Sequence, residues 1–253
     1  MRFIKLTLSY DGTDFAGWQT QPGRRTVQST LENAIRKITG ESVSAVASGR
    51  TDAGVHALGQ VVGFVTVSNH SCSVFRAALN ANLPQDVVVL EVCETWTGFH
   101  AIRDAQRKTY RYEIQDGDRT DVFARRTSWR VPCDLDVGAM RHAAQQLIGS
   151  HDFSSFESSG SERATSIRTI YHVAVQRQSY SHGGRIVIEL TANGFLYNMV
   201  RAIVGTLVQV GRGALASAEI IRILEAKNRK SAGVTAPPQG LFLLSVEYDS
   251  REE

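Results

Sequence analysis

Arg50 and Asp52 flank Thr51 in the stretch Ser48-Gly49-Arg50-Thr51-Asp52-Ala53-Gly54-Val55-His56-Ala57, a cation and a carboxylate held between glycines. Apolar, strand-like segments lie on either side, Val43 to Ala47 before and Val61 to Val67 after. Loops that leave the end of a sheet are where polar side chains are presented for chemistry. A carboxylate there is ionised near neutral pH, its ordinary pKa being about 3.9, and can act as a base or a nucleophile. The loop holds no second carboxylate beside Asp52, so a two-carboxylate hydrolase has no local support. Thr-Asp-Ala-Gly also reads as a plain turn, with Asp capping its own backbone and Gly supplying positive φ.

Two further groups carry chemical potential. Arg201 lies in the apolar run Phe195 to Gly205. A guanidinium in such a helix either snorkels to solvent or meets an anion, and Asp52 is a candidate partner. Tyr110 and Tyr112 sit in Arg107-Lys108-Thr109-Tyr110-Arg111-Tyr112-Glu113-Ile114 and share one face of a strand with Lys108 and Ile114. Aromatics with basic neighbours suit base stacking, and they equally suit strand packing.

Composition narrows the class. The 253 residues are 42% hydrophobic and 21% charged, an ordinary soluble globular balance. No apolar run approaches a membrane span, and the N-terminus enters strand-like alternation without a signal-peptide core. Cys72, Cys93 and Cys133 are scattered and form no Cys-x-x-Cys pair, which argues against a disulfide framework or zinc site and for a reducing cytoplasm. The seven His show no metal-ligand spacing. No P-loop or Gly-x-Gly-x-x-Gly opens a helix, so no nucleotide cofactor is indicated. Net charge is +3, yet 23 of the 28 basic residues are Arg, the residue suited to phosphate and base contacts. They cluster at Arg24-Arg25, Arg103 to Arg111 and Arg125 to Arg130.

The elements that must position these groups follow from periodicity. Strands are expected at Phe3 to Ser9, Ser42 to Ala47, Gln60 to Val67 and Val87 to Val92, the last read as buried. Helices are expected from Thr26 to Gly40 and from Ser73 to Leu79. The second part repeats the order. Strands fall at Thr109 to Ile114 and Thr127 to Val131, and a helix is capped by Asp134 or Asp136 and ended by Gly149 to Phe153. A hairpin joins Ser166 to Gln176 with Arg185 to Ala192 around Ser181 to Gly184. Helices at Phe195 to Val210 and Ser217 to Ala226 precede a strand from Leu241 to Tyr248. Loops Gly117 to Arg126 and Glu157 to Arg163 are polar, the latter a surface loop or a flap that orders on a ligand. The repeated pattern predicts an α+β chain of two ferredoxin-like halves, 1–104 and 105–253, forming one extended, mostly antiparallel sheet flanked by helices, with a central cleft at the seam.

The ordered blocks Tyr10 to Gln19 with Thr26-Val27-Gln28, Gly49 to Ala57, Phe99-His100-Ala101, Tyr110-Arg111-Tyr112, Asp152 to Phe156, Arg168-Thr169-Ile170, Asn193 to Gly205 and Ala236 to Tyr248 together resemble the TruA-type tRNA pseudouridine synthases. The resemblance spans nearly the whole chain. It implies the pseudouridine synthase fold and conversion of uridine to pseudouridine on the 3′ side of the anticodon stem-loop of tRNA, with no cofactor and no metal. By the same resemblance Asp52 is the catalytic carboxylate and Arg201 pairs with it. Tyr110 stacks on the uracil, Arg50 assists extrusion of the nucleotide, and Leu241 lines the uracil pocket. Extrusion costs a few kcal/mol of unstacking. A cytoplasmic homodimer that grips one tRNA with both subunits is implied as well. The chain departs from the family where Ile102 follows Phe99-His100-Ala101 in place of Arg, with Arg103 next. Two other readings stay open on the residues: an RNA-binding module of ferredoxin-like architecture without chemistry, and an Asp-dependent hydrolase of small nucleosides.

Overall fold

The computed structural model describes residues 1–160, 165–180 and 183–249. The chain forms two compact units, one of Met1–Gln106 with Phe242–Glu253 and one of Arg107–Leu241. The class is α+β, as the periodicity predicts.

In the first unit the strands are β1 (Arg2–Tyr10), β2 (Val46–Ala47), β3 (His56–Thr66) and β4 (Val87–Thr95), with helices α1 (Val27–Thr39) and α2 (Cys72–Asn82). The order is β4-β1-β3, all antiparallel, with Leu6 of β1 opposite Val62 on one side and Val92 on the other. The far side of β3 carries β2 at Val62 and Gly63, and takes the start of the last strand in parallel at His56 and Ala57. Strict alternation drives β1: Ile4, Leu6, Leu8 and Tyr10 point inward and are buried. On α1, Val27, Leu31, Ala34 and Ile35 form the buried stripe. Thr26 caps its start and left-handed Gly40 its end.

Three expectations change here. The strand expected over Ser42 to Ala47 pairs only at Val46 and Ala47. The strand after the Asp52 loop starts at His56 rather than Gln60. The β-branched run Val87 to Val92 is not a doubly buried strand. Within its unit β4 pairs with β1 alone, and Val88 and Leu90 are 42% and 45% exposed. An edge strand apolar on both faces is indistinguishable in sequence from a central one.

In the second unit the strands are β5 (Ala105–Gln115), β6 (Trp129–Arg130), β7 (Gly149–Asp152), β8 (Ile167–Tyr180) and β9 (Gly183–Ala192), with helices α3 (Val137–Gln145), α4 (Met199–Gly211) and α5 (Glu219–Ala226). The order is β5-β9-β8-β7, antiparallel throughout, and β6 lies parallel to the end of β5. Asp136, rather than Asp134, caps α3, accepting from the Ala139 N–H at 2.9 Å. The segment Gly149 to Phe153, expected only to end that helix, instead supplies β7 against β8. The next helix begins at Met199, not Phe195, because Asn198 adopts a left-handed conformation. Buried Asp116 is gripped by Arg177, both nitrogens at 2.7 Å, and accepts the Leu135 N–H at 2.9 Å. Of the expected turn Ser181 to Gly184, residues 181 and 182 lie outside the described residues, as do 161–163 of the Glu157 to Arg163 loop.

The last strand, β10 (Leu241–Tyr248), groups from Phe242 onward with the first unit. The sequence reading instead carried the second half through to the C-terminus.

Candidate active site

The Asp52 loop joins β2 to β3, and the first unit holds it from three directions. Beneath it runs a buried polar network. The Tyr10 hydroxyl meets Thr51 Oγ1 at 2.7 Å. Gln60 Nε2 donates to Gly49 O at 2.8 Å, and Ser48 Oγ donates to Gln60 Oε1 at 2.8 Å. Ser48, Thr51 and Gln60 are all buried. Such a network fixes one conformation, because any break leaves a polar group dry. Burial keeps the Tyr10 phenol protonated and pushes its pKa up to about 12, despite the hydrogen bonds with Thr51 and Gln60.

The second support is the segment after β1. The Trp18 N–H donates to Thr51 O at 2.9 Å. Gly17 has φ +93°, and a Cβ there would stand 2.7 Å from Thr51 O and 3.2 Å from Ala53 N. A Cβ on Gly12 would run into Val55 O. The loop therefore rests backbone to backbone on two glycines, an approach only glycine permits. Third, His56 is 2% exposed. Its Nδ1 accepts from the Gly12 N–H at 3.1 Å, lies 3.1 Å from Asp11 Oδ1, and its ring stacks on Phe242 at 4.7 Å. Between these supports Asp52 is half-buried and Arg50 is exposed. The loop closes on itself through Val55 N–H to Asp52 O at 3.1 Å.

The Asp52 supports were missed in the sequence. Tyr10 to Asp14 reads as a turn, Phe15 to Gln19 carries no element of its own, and nothing in the spacing says what two glycines five apart lie against. Their signal was the clustering of Gly12 and Gly17 with aromatics in a segment free of regular structure.

In the second unit Arg201 is part-buried on the first turn of α4. Its Nε donates to Ala236 O at 2.7 Å and its Nη1 to Asn198 Oδ1 at 2.8 Å. The backbone repeats the link, Ala236 N–H donating to Arg201 O at 3.0 Å. Asn198 sits at φ 61°, a region that asparagine tolerates better than most residues. That conformation starts the helix and turns the Asn198 amide toward Arg201. Glycines again allow close approach: a Cβ on Gly205 would strike Val234 O, and one on Gly233 would lie 2.8 Å from Thr206 Cα.

On β5, Tyr110, Tyr112 and Ile114 share a buried face, opposite Leu190, Ile188 and Ile186 of β9. Tyr110 keeps 9% exposure and meets Phe195 edge to face at 5.1 Å. Tyr112 is wholly buried and donates to Pro237 O at 2.7 Å. Burial raises its pKa well beyond the ordinary value, against the opposing charge of Arg201. Leu241 is buried, and Gly240 lies flat on the Tyr112 ring, where a Cβ would meet Cζ at 2.6 Å. The structure thus gathers Tyr112, Arg201, Ala236 and Pro237 within one unit. Among the described residues no group of three or more His, Cys, Asp or Glu could hold a metal ion, and no helix is long and apolar enough to cross a membrane.

Comparison with known proteins adds the following. The sequence model of a family described as tRNA pseudouridine synthase matches residues 7–102 and 143–249. Arg50 and Asp52 fall in the first matched segment, Arg201 and Leu241 in the second, and Tyr110 between them. The chain is 46% identical over 249 residues to tRNA pseudouridine synthase A of Acetivibrio thermocellus, covering 98% of this chain and 100% of that protein. It is 48% identical over 251 residues to the protein of that name from Anoxybacillus flavithermus, covering 99% and 100%. It is 46% identical over 248 residues to the one from a Geobacillus species, covering 98% of each.

Proposed function

Because this chain belongs to the tRNA pseudouridine synthase family, we propose that it isomerises uridine to pseudouridine in the anticodon stem-loop of tRNA, with Asp52 as the catalytic carboxylate. The observation that carries this reading is the Asp52 loop itself, a half-buried carboxylate whose backbone is pinned by Gly12, Gly17 and the Tyr10 network. Pre-set geometry of that kind is what positioning catalysis requires.

In this reading the N1–C1′ bond breaks, the uracil turns, and C5 bonds to C1′. C5 loses its proton and N1 gains one, so the product is an isomer and no co-substrate enters the balance. Asp52 supplies the anionic group at the reacting centre. Arg201 is the fixed cation of the site, held by Asn198 and Ala236. Tyr110 offers a ring to the uracil, and its residual exposure on a buried face suits that role. Arg50, exposed and next but one to Asp52, assists extrusion of the nucleotide, a step that costs a few kcal/mol of unstacking. Leu241 lines the uracil pocket. The working assembly is a cytoplasmic homodimer, an assignment that rests on the family resemblance and is tested by sedimentation and fractionation.

The deciding experiment measures pseudouridine in unmodified tRNA transcripts incubated with purified protein. Wild type converts uridine in the anticodon arm. Asp52→Ala abolishes conversion while still binding tRNA. Conversion at the wild-type rate by Asp52→Ala would remove Asp52 from the mechanism.

A further inference from the structure

The loop between β5 and β6 presents an aromatic side chain outward. Phe123 is 85% exposed, the most exposed large apolar side chain among the described residues after Met1, and Val122 beside it is 58% exposed. This is a built turn. Asp121 caps it, its Oδ1 accepting from the Phe123 N–H at 2.9 Å, and Arg185 reaches the other carboxylate oxygen at 3.3 Å. Ala124 is buried and anchors the turn from below, its carbonyl accepting from Ser128 Oγ at 2.9 Å and the Thr127 N–H at 3.0 Å. Arg130 braces the approach, donating to Gly117 O at 2.6 Å and Thr120 Oγ1 at 3.1 Å. A phenyl ring is thus held out by a fixed backbone.

Arginines flank it. Arg119, Arg125 and Arg126 are exposed on the same loop, and Arg125 donates to Val122 O at 3.0 Å, which ties its guanidinium to the turn that carries the ring. The acidic residues of the loop are Asp116, buried and held by Arg177, Asp118, which is exposed, and Asp121, whose carboxylate is engaged by the cap and by Arg185. A rigid exposed aromatic among guanidinium groups is the arrangement that stacks on an unpaired base while contacting the neighbouring phosphates.

We propose that Phe123, with Arg119 and Arg125, is a stacking post for an unpaired base of the RNA substrate. It acts in binding and takes no part in the chemistry. The segment lies outside both stretches matched by the family. The proposal rests on the RNA partner of the preceding section.

Stacking and phosphate contact have different signatures, and the test uses both. Binding of an unmodified tRNA transcript is measured across a salt series for wild type, Phe123→Ala, Phe123→Leu, Phe123→Trp, Arg119→Ala and Arg125→Ala. Phe123→Ala weakens binding by roughly 5- to 100-fold with the salt slope unchanged. Phe123→Trp keeps wild-type affinity, and Phe123→Leu, which retains apolar area without a π face, behaves as Phe123→Ala does. Each Arg→Ala variant lowers the salt slope by about one. Single-turnover conversion at saturating RNA is unchanged in all of them. Wild-type affinity in Phe123→Ala overturns the proposal. So does a Phe123→Ala effect that appears instead as loss of self-association in sedimentation, or as loss of binding to vesicles containing anionic lipid. Absence of conversion by wild-type protein would strike the preceding reading. Intact conversion with indifferent Phe123 variants strikes this one alone.

Discussion

Replacing Gly17 by Ala tests whether the Asp52 loop is set by backbone contact. Two costs arise and can be separated. At φ +93° any L side chain is strained, by about 1–3 kcal/mol. The new Cβ also stands 2.7 Å from Thr51 O, closer than the 3.0 Å that real Cβ atoms keep, and the obstacle is backbone, not a flexible side chain. The loop must give by roughly 0.3–0.7 Å. A 1 Å misplacement of a reacting group costs about 100-fold, so the shift corresponds to a loss of roughly 4- to 25-fold in rate. Gly23 is the control. It lies in the same stretch at φ +68°, and an added Cβ meets nothing within 4 Å. Gly23→Ala therefore bears the conformational strain alone, about 1 kcal/mol of stability with no change in rate. Urea unfolding measures the first quantity, and single-turnover pseudouridine formation at saturating tRNA the second. Equal rates for Gly17→Ala and Gly23→Ala would refute the idea that Gly17 positions Asp52.

Other outcomes follow from the same packing. Tyr10→Phe strips Thr51 of its buried hydroxyl partner and lowers stability by about 1–2 kcal/mol, read by urea unfolding. Tyr10 also sets an alkaline limit. The folded chain keeps a phenol proton that the unfolded chain releases above pH 10, so the Tyr10 contribution to stability is full below pH 10 and falls by about 1.4 kcal/mol per pH unit between pH 10 and about 12. Tyr10→Phe loses that share of the decline and keeps the shares of Tyr112 and Tyr248, whose phenols burial also pushes up. Arg177→Met leaves the Asp116 carboxylate buried without its cation; the loss falls at the lower end of about 3–5 kcal/mol because Arg177 is itself part-exposed, and thermal unfolding at pH 7 checks it. Asn198→Ala forfeits the Arg201 link and places alanine at φ 61°, so stability drops by about 1–3 kcal/mol and conversion slows at unchanged tRNA affinity.

Much of this molecule was legible in advance, and the illegible parts share a cause. The buried stripe of α1 and the inward alternation of β1 declare themselves because each depends on a local period. The βαββαβ order of the first unit was likewise readable, down to the Gly40 cap. What escaped depends on partners distant in sequence. That Val88 and Leu90 stay exposed follows from β4 having only β1 beside it in its unit. That Gly149 to Asp152 forms a strand follows from β8 being long enough to accept it. The start of α4 turned on the backbone of one residue, Asn198, whose left-handed conformation no hydrophobic period reveals. At the site, residue types named Asp52, Arg201 and Tyr110 as candidates, but Gly12, Gly17 and His56 act through what they lie against. Ala236 holds Arg201 through a carbonyl, which leaves no trace in side-chain identity.

The clasp between Arg201 and Ala236 has a consequence for the order of assembly. Helix α4 can wind as soon as residues 198–211 have been made, but the carbonyl that fixes the Arg201 guanidinium arrives 35 residues later. Docking of that strand of chain depends on the bare backbones of Gly205 and Gly233 meeting, sealed by the Gly233 N–H on Thr206 Oγ1 at 2.8 Å. The Arg201 side chain is therefore set late in synthesis, after the helix that bears it. The same clasp can open without unwinding α4, so the amide hydrogens of Gly233 and Ala236 should exchange with solvent faster than those in the helix core, and they report directly on how often Arg201 loses its Ala236 partner while Asn198 still holds it.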